Sequence, residues 1–242
     1  MTYSNAPITG GTYKISDSAS AAIYCEGDKT APTDLGKLGI SGNLGKIILA
    51  NDADVTLSGD VTTDVIVCGS GAATIDLNGH KLTNASDDTI TVALGASLTI
   101  TGNGTVDNLT NGKADVFNNG TVVIENGKFT RSLEAGTIGE NHTNGSANGN
   151  SYYTVLNHGI MTIENGTFEN SGKFSSLFEN GYDNSTSTNS REGYVEGINA
   201  ANPELTITGG SFTGGKNTVK NDDGGILKIA GGPSPTSPST VS

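Results

Sequence analysis

Short stretches in which apolar and polar residues alternate recur along this chain, and most of them end in a glycine turn. The clearest copies are residues 120–129 (GTVVIENGKF) and 159–168 (GIMTIENGTF). In the first, Val122, Ile124 and Phe129 fall on one side and Val123 and Glu125 on the other, a period of two that predicts a half-buried strand and not a helix. The Asn126-Gly127 and Asn165-Gly166 pairs predict corners, because glycine enters positive φ without steric cost and asparagine tolerates it. Looser copies stand at residues 97–106, 204–212, 225–232 and 8–13. A frame that repeats this regularly predicts stacked units.

Leu57, Ile75, Ile100, Ile124, Ile163, Ile207 and Ile229 anchor the frame at spacings of about 18 to 25 residues, with two longer intervals of roughly 39 and 44. The short intervals match one turn of a parallel β-helix, an all-β, single-stranded solenoid. The two long intervals predict insertions at residues 131–152 and 171–197, both leaving just after the phenylalanine of the frame. They would therefore exit one corner on successive rungs and lie side by side. Residues 153–170 rejoin the coil between them, and residues 81–90 (KLTNASDDTI) read as a corner loop. Three segments follow: residues 1–45 as an irregular cap or attachment segment, 46–232 as the helix, and 233–242 as a Pro/Ser/Thr-rich tail.

Composition narrows the partners. An apolar fraction of 33% is low for a globule but sufficient for the narrow core of a solenoid. A formal charge of -12 repels polyphosphate and anionic lipid, which argues against nucleic acid and membrane surfaces. No run is long and apolar enough to cross a bilayer, and the first residues lack the basic start and apolar run of a signal peptide. If Met1 is the natural start, export by the usual route is not expected. Cys25 and Cys68 read as buried thiols, with pairing left open.

The insertions collect most of the candidate chemistry. Arg131, Tyr152, Tyr153, Phe174, Phe178, Tyr182, Arg191 and Tyr194 form a candidate ligand-binding patch, because flat aromatic rings with arginines suit sugar rings or a protein partner. The competing reading is a satellite core that only steadies the loops. Asp87-Asp88 and Asp222-Asp223 are the acidic pairs a glycosidase would need, but neighbours on a strand face opposite ways, and both pairs read as solvated turn acids. His158 stands where the frame wants a corner, so no catalytic residue is expected. No Cys or His pair has ligand spacing, so neither metal nor other cofactor is expected.

The stretches TIDLNGHKLTN, ASLTITGNGTV, VFNNGTVVIENGKFT and LNHGIMTIENGTF resemble the rungs of pectate-lyase-like right-handed β-helix modules, over about residues 46–232. Such modules occur in surface adhesins of Gram-positive gut bacteria and in virion proteins of their phages. The resemblance implies a right-handed coil and a structural or adhesive role, and none of the catalytic acids and arginines of the lyases has a counterpart here. The expectation is a non-enzymatic virion surface protein, a head decoration or fibre, docked on a capsid or tail protein through residues 1–45. It would present a patch to a glycan or host surface, as a monomer or weak trimer. A cell-surface or secreted bacterial adhesin module and a polysaccharide-degrading enzyme are the alternatives.

Overall fold

Alternation puts every second side chain of many strands inside, and in the computed structural model those side chains line a narrow core between three parallel sheets. The structure describes residues 22–26, 33–34, 46–63, 65–110, 112–132, 152–170, 175–183, 194–196, 199 and 202–230. The first sheet stacks β1 (Ala22–Glu26), β3 (Lys46–Ala50), β6 (Val65–Cys68), β9 (Ile90–Val92), β12 (Val116–Asn118), β15 (Val155–Asn157), β18 (Phe178–Asn180) and β21 (Val219–Asn221). The second stacks β2 (Thr33–Asp34), β4 (Asp54–Thr56), β7 (Ala72–Asp76), β10 (Ser97–Thr101), β13 (Thr121–Ile124), β16 (Ile160–Ile163), β19 (Glu204–Ile207) and β22 (Ile226–Ile229). The third holds β5 (Val61–Thr62), β8 (Lys81–Asn84), β11 (Thr105–Asn108), β14 (Lys128–Thr130), β17 (Thr167–Asn170) and β20 (Ser211–Gly214). From β3 onward the chain visits first, second and third sheet in turn, an order consistent with a parallel β-helix.

Parallel register places like residues above one another. Ile75, Ile100, Ile124, Ile163, Ile207 and Ile229 form one inward column of the second sheet. Below Ile75 that column continues through Val55 and not through Leu57, which lies two residues on, beyond the end of β4. Phe129, Phe168 and Phe212 stack face to face in the third sheet, with centroids 4.9 and 5.3 Å apart. Residues 81–90 are not one loop: Lys81–Asn84 is a strand with Leu82 inside, because a three-sided coil needs a short third strand on each turn.

Polar columns close two corners. Where the first sheet turns into the second, Asn118, Asn157, Asn180 and Asn221 stand one above the other, and each Nδ2 donates to the Oδ1 of the next at 2.7 Å. Asn118 Oδ1 also accepts from the Gly120 N–H (2.9 Å), so the ladder fixes the turn as well as the stack. Glycine is required after it: a Cβ on Gly159 would lie 2.2 Å from the Gly120 carbonyl oxygen of the rung before. At the corner from third to first sheet, Asn108 Nδ2 donates to Thr89 Oγ1 (3.1 Å) and to the Ala114 carbonyl (3.0 Å).

Two strands within residues 1–45, β1 and β2, already belong to the stack. Cys25 is buried in the core, paired in register with Leu49, whereas Cys68 pairs with Ala50. Two ladder steps separate the cysteine strands, about 9.6 Å, more than the roughly 7 Å that a disulfide spans between Cα atoms.

The long connections depart from the expected pattern. β18 lies inside the second of them, paired with β15 and β21, so residues 175–183 return to the coil. One long connection therefore runs from β14 to β15, third sheet to first, and the other from β18 to β19, first sheet to second. They leave different corners, not one. What they share is the first sheet, which one enters and the other leaves.

Candidate functional site

The outer face of the first sheet is where the described parts of both connections converge. Its outward column runs Thr91, Phe117, Leu156, Glu179, Lys220, one residue per rung. Phe117 and Leu156 give this face an apolar floor, and Tyr152, Tyr153 and Ala114 pack on it as a second small cluster outside the main core. The Tyr152 and Tyr153 rings meet edge to face at 5.3 Å. His158 continues the floor, with its ring 5.3 Å from Phe117 and 4.5 Å from Tyr182, and Tyr182 in turn touches Tyr194 at 5.2 Å. Tyr182 is fully buried, and its hydroxyl donates to the His158 carbonyl oxygen (3.1 Å). Burial lowers the His158 imidazole to about 4, so it is neutral at pH 7.

Beside the rings lies an ionic cluster. The Lys220 ammonium contacts Asp183, Asp222 (2.5 Å), Glu179 (3.5 Å) and the Tyr153 hydroxyl (3.2 Å). Burial alone would push Lys220 down, but its bonds to Asp183 and Asp222 outweigh that and raise it. Glu179, almost fully buried, is pushed up to about 9 by desolvation and by the neighbouring Asp183 charge, against the pull of Lys220. It therefore carries a proton at neutral pH. Glu179, Asp183 and Asp222 are close enough to one another to share an ion, but the lysine nitrogen already binds all three.

At the corner from the third to the first sheet, Arg131 takes the place that Asn108 holds one rung earlier. It is fully buried, donating from Nε to the Lys113 carbonyl (2.7 Å), from Nη2 to that of Thr110 (2.5 Å) and from Nη1 to that of Tyr152 (3.4 Å), with Tyr152 5.8 Å below the guanidinium. Burial lowers Arg131 to about 10, partly offset by the Asp115 charge. Asp115, also fully buried, is raised by desolvation and by Asp107 despite Arg131. The guanidinium thus binds main-chain carbonyls and holds the start of β15 against the corner.

Of the eight candidate residues, the structure brings Tyr152, Tyr153, Tyr182 and Tyr194 to this face. Arg131 lies inside the corner beneath it. Phe178 is in the main core, its ring 4.9 Å from Phe168 and 5.7 Å from Phe212, because it begins a strand that the long interval concealed. Phe174 and Arg191 lie outside the described residues. The expectation of solvated acids fails at Asp88, which is buried, accepts from the Ala114 N–H (2.6 Å) and lies 3.6 Å from Lys113. Desolvation raises Asp88, whereas Asp87 is held low by Lys113 (2.6 Å) against a smaller burial than that of Asp88.

Sequence reasoning missed Phe117, Leu156, Glu179 and Lys220. The signal was present: VFN, VLN, FEN and VKN, at residues 116–118, 155–157, 178–180 and 219–221, share an apolar residue, an outward residue and the ladder asparagine. Together, fold and site define an all-β, solenoid-like stack of three parallel sheets carrying an aromatic and ionic cluster on the outside of one of them. Compared with profiles of known protein families, with curated proteins and with solved structures, the chain finds no significant match in any of the three.

Proposed function

We propose that this protein is a non-enzymatic structural and adhesive surface protein, a right-handed β-helical rod displayed on a virion as a head decoration or fibre. The outer face of the first sheet is the surface it offers to a glycan or host-cell ligand, and residues 1–45 contribute the attachment to a capsid or tail protein. The observation that carries the reading is the way this face is built. Aromatic rings and a charged cluster converge on a stack whose register repeats from β1 to β22, which makes a stiff platform for rings that are partly exposed at Tyr152 and Tyr194. Rings already held in place stack on sugars without first having to be ordered.

A non-enzymatic reading is supported by three of the groups considered for hydrolysis, which have other partners. Asp88 holds the Ala114 amide, Asp222 is bound to Lys220, and His158 is wedged between two rings. Among the described residues no helix is long and apolar enough to cross a membrane. The Pro/Ser/Thr composition of residues 233–242 favours a second reading, an adhesin module carried on a bacterial stalk.

The test is to screen the full chain against an array of bacterial surface glycans, with reducing-sugar release followed in parallel. Binding that weakens roughly tenfold in Tyr194→Ala, with no sugar released, supports the proposal. Glycan turnover, or an array with no binder together with native particles that lack the protein, overturns it.

A further inference from the structure

Asn-Gly pairs close several corners of the stack, and they differ in what holds the asparagine amide. At residues 126–127, Asn126 Nδ2 donates to Asn103 Oδ1 of the preceding rung (2.6 Å), while the Gly127 N–H donates to Asn126 Oδ1 (2.9 Å). The carboxamide is thereby clamped in one orientation, its carbonyl turned toward the main-chain nitrogen of the next residue. The carbonyl carbon is one bond behind that oxygen, so loss of the Gly127 proton and a small rotation would bring the nitrogen onto it and close a five-membered ring. Gly127 has no side chain to obstruct the approach, and its φ of 118° is one that glycine adopts freely.

Other corners are arranged differently. The Gly181 N–H donates to the Asn157 carbonyl (3.1 Å), and Asn180 is engaged in the ladder. The Gly120 N–H donates to Asn118, the residue before Asn119 (2.9 Å), and Asn78 Nδ2 donates to the Leu57 carbonyl (2.9 Å). Asn165-Gly166 repeats the turn of residues 126–127, with φ 123° at Gly166 and a more exposed asparagine, and so provides an internal control.

We propose that Asn126 is a self-modifying site, deamidating through a cyclic imide with the Gly127 nitrogen, and that Asn103 is its positioning residue. The Gly127 nitrogen gives its proton to hydroxide and attacks Cγ of Asn126. The N–Cγ bond forms, the Cγ–Nδ2 bond breaks, and the amide nitrogen leaves as ammonia after taking a proton from water. Water then opens the imide at either carbonyl, leaving aspartate or isoaspartate, with no cofactor and no change of oxidation state. Both products place a carboxylate beside Asn103 and next to Glu125. The isoaspartate branch also adds a methylene to the main chain between β13 and β14. The space there is filled, since a Cβ on Gly127 would already meet Leu77 Cδ1 at 3.0 Å and the Phe129 ring at 3.3 Å. Modification therefore loosens this corner of the core with time.

The experiment incubates the full chain at mildly alkaline pH and follows acid formation at residues 126 and 165 in the same sample by peptide mass mapping, with isoaspartate assigned by fragmentation. Asn126 is expected to convert roughly tenfold faster than Asn165. Asn103→Ala should bring the rate at Asn126 down toward that at Asn165 and leave Asn165 unchanged. Equal or faster conversion at Asn165 in the unsubstituted chain overturns the proposal, as does a rate at Asn126 indifferent to Asn103→Ala in a protein with unchanged melting temperature. If that variant melts early, the comparison within the unsubstituted chain decides alone.

Discussion

Glu179 is the residue at which burial and charge conflict most openly. Its carboxyl is raised to about 9 in the folded chain, far above the ordinary carboxylate value it would have when unfolded. A raised group contributes stability that is complete below its unfolded pKa and is lost as pH climbs through the folded value, so the fold loses from this side chain between about pH 4.5 and pH 9. Glu179→Gln keeps the shape and removes the titration. Its melting temperature should match the parent near pH 5 and exceed it near pH 8, by the equivalent of about 4 kcal/mol. An advantage that does not grow with pH would place the proton elsewhere.

Tyr182 decides between the patch and the satellite core at the same scale. Its ring is fully buried against His158 and Tyr194, and its hydroxyl is bonded, so Tyr182→Ala should lose about 3 kcal/mol in chemical denaturation. Tyr182→Phe, which removes only the hydroxyl, should lose about 1 kcal/mol. If Tyr182→Ala proved neutral, the ring would be a ligand contact and not a packing element.

Among elements, the asparagine ladder and the glycines beside it do work that apolar columns cannot. The main-chain ladders of three short strands leave each corner with unpaired polar groups, and buried amide side chains satisfy them rung by rung. Removing Asn157 strands two neighbours at once, the Asn118 donor and the Asn180 acceptor. Asn157→Ala is therefore expected to cost about 3 kcal/mol, more than a single exposed hydrogen bond, and Asn221→Ala, at the end of the ladder, less. Paired denaturation curves would show this, and equal losses at both positions would mean the amides act independently.

At the same scale, FEN at residues 178–180 was legible as a strand only when set beside VFN and VLN. The interval around it is so long that the apolar-x-Ile frame alone passes over it. The frame followed the second sheet, whose strands from β7 onward are longer than those of the first sheet from β9 onward, and these short strands were hidden by their polar residues.

For the whole molecule, a stack of rungs has no centre, and each rung is secured by its neighbours. β22 ends the described stack, with Ile226 and Ile229 largely exposed, whereas Leu98 and Ile100 of β10 are buried between rungs on both sides. Amide hydrogen exchange should accordingly be faster along Ile226–Ile229 than along Ser97–Thr101, by an amount that grows toward the end of the stack. Uniform protection would mean that the final rung is covered.

By itself the sequence determined the repeat, the strand alternation, the inward Ile and Phe columns and the need for glycine at the corners. These follow from local sterics and from a period of two, which leave their mark on consecutive residues. Only the tertiary structure decided that Phe178 belongs to the core, that Arg131 is buried among carbonyls, and that the long connections leave separate corners. It also brought Glu179, Asp183, Lys220 and Tyr153 into one cluster, since contacts between rungs depend on how many residues intervene in each turn, and that number varies where the chain departs from its frame.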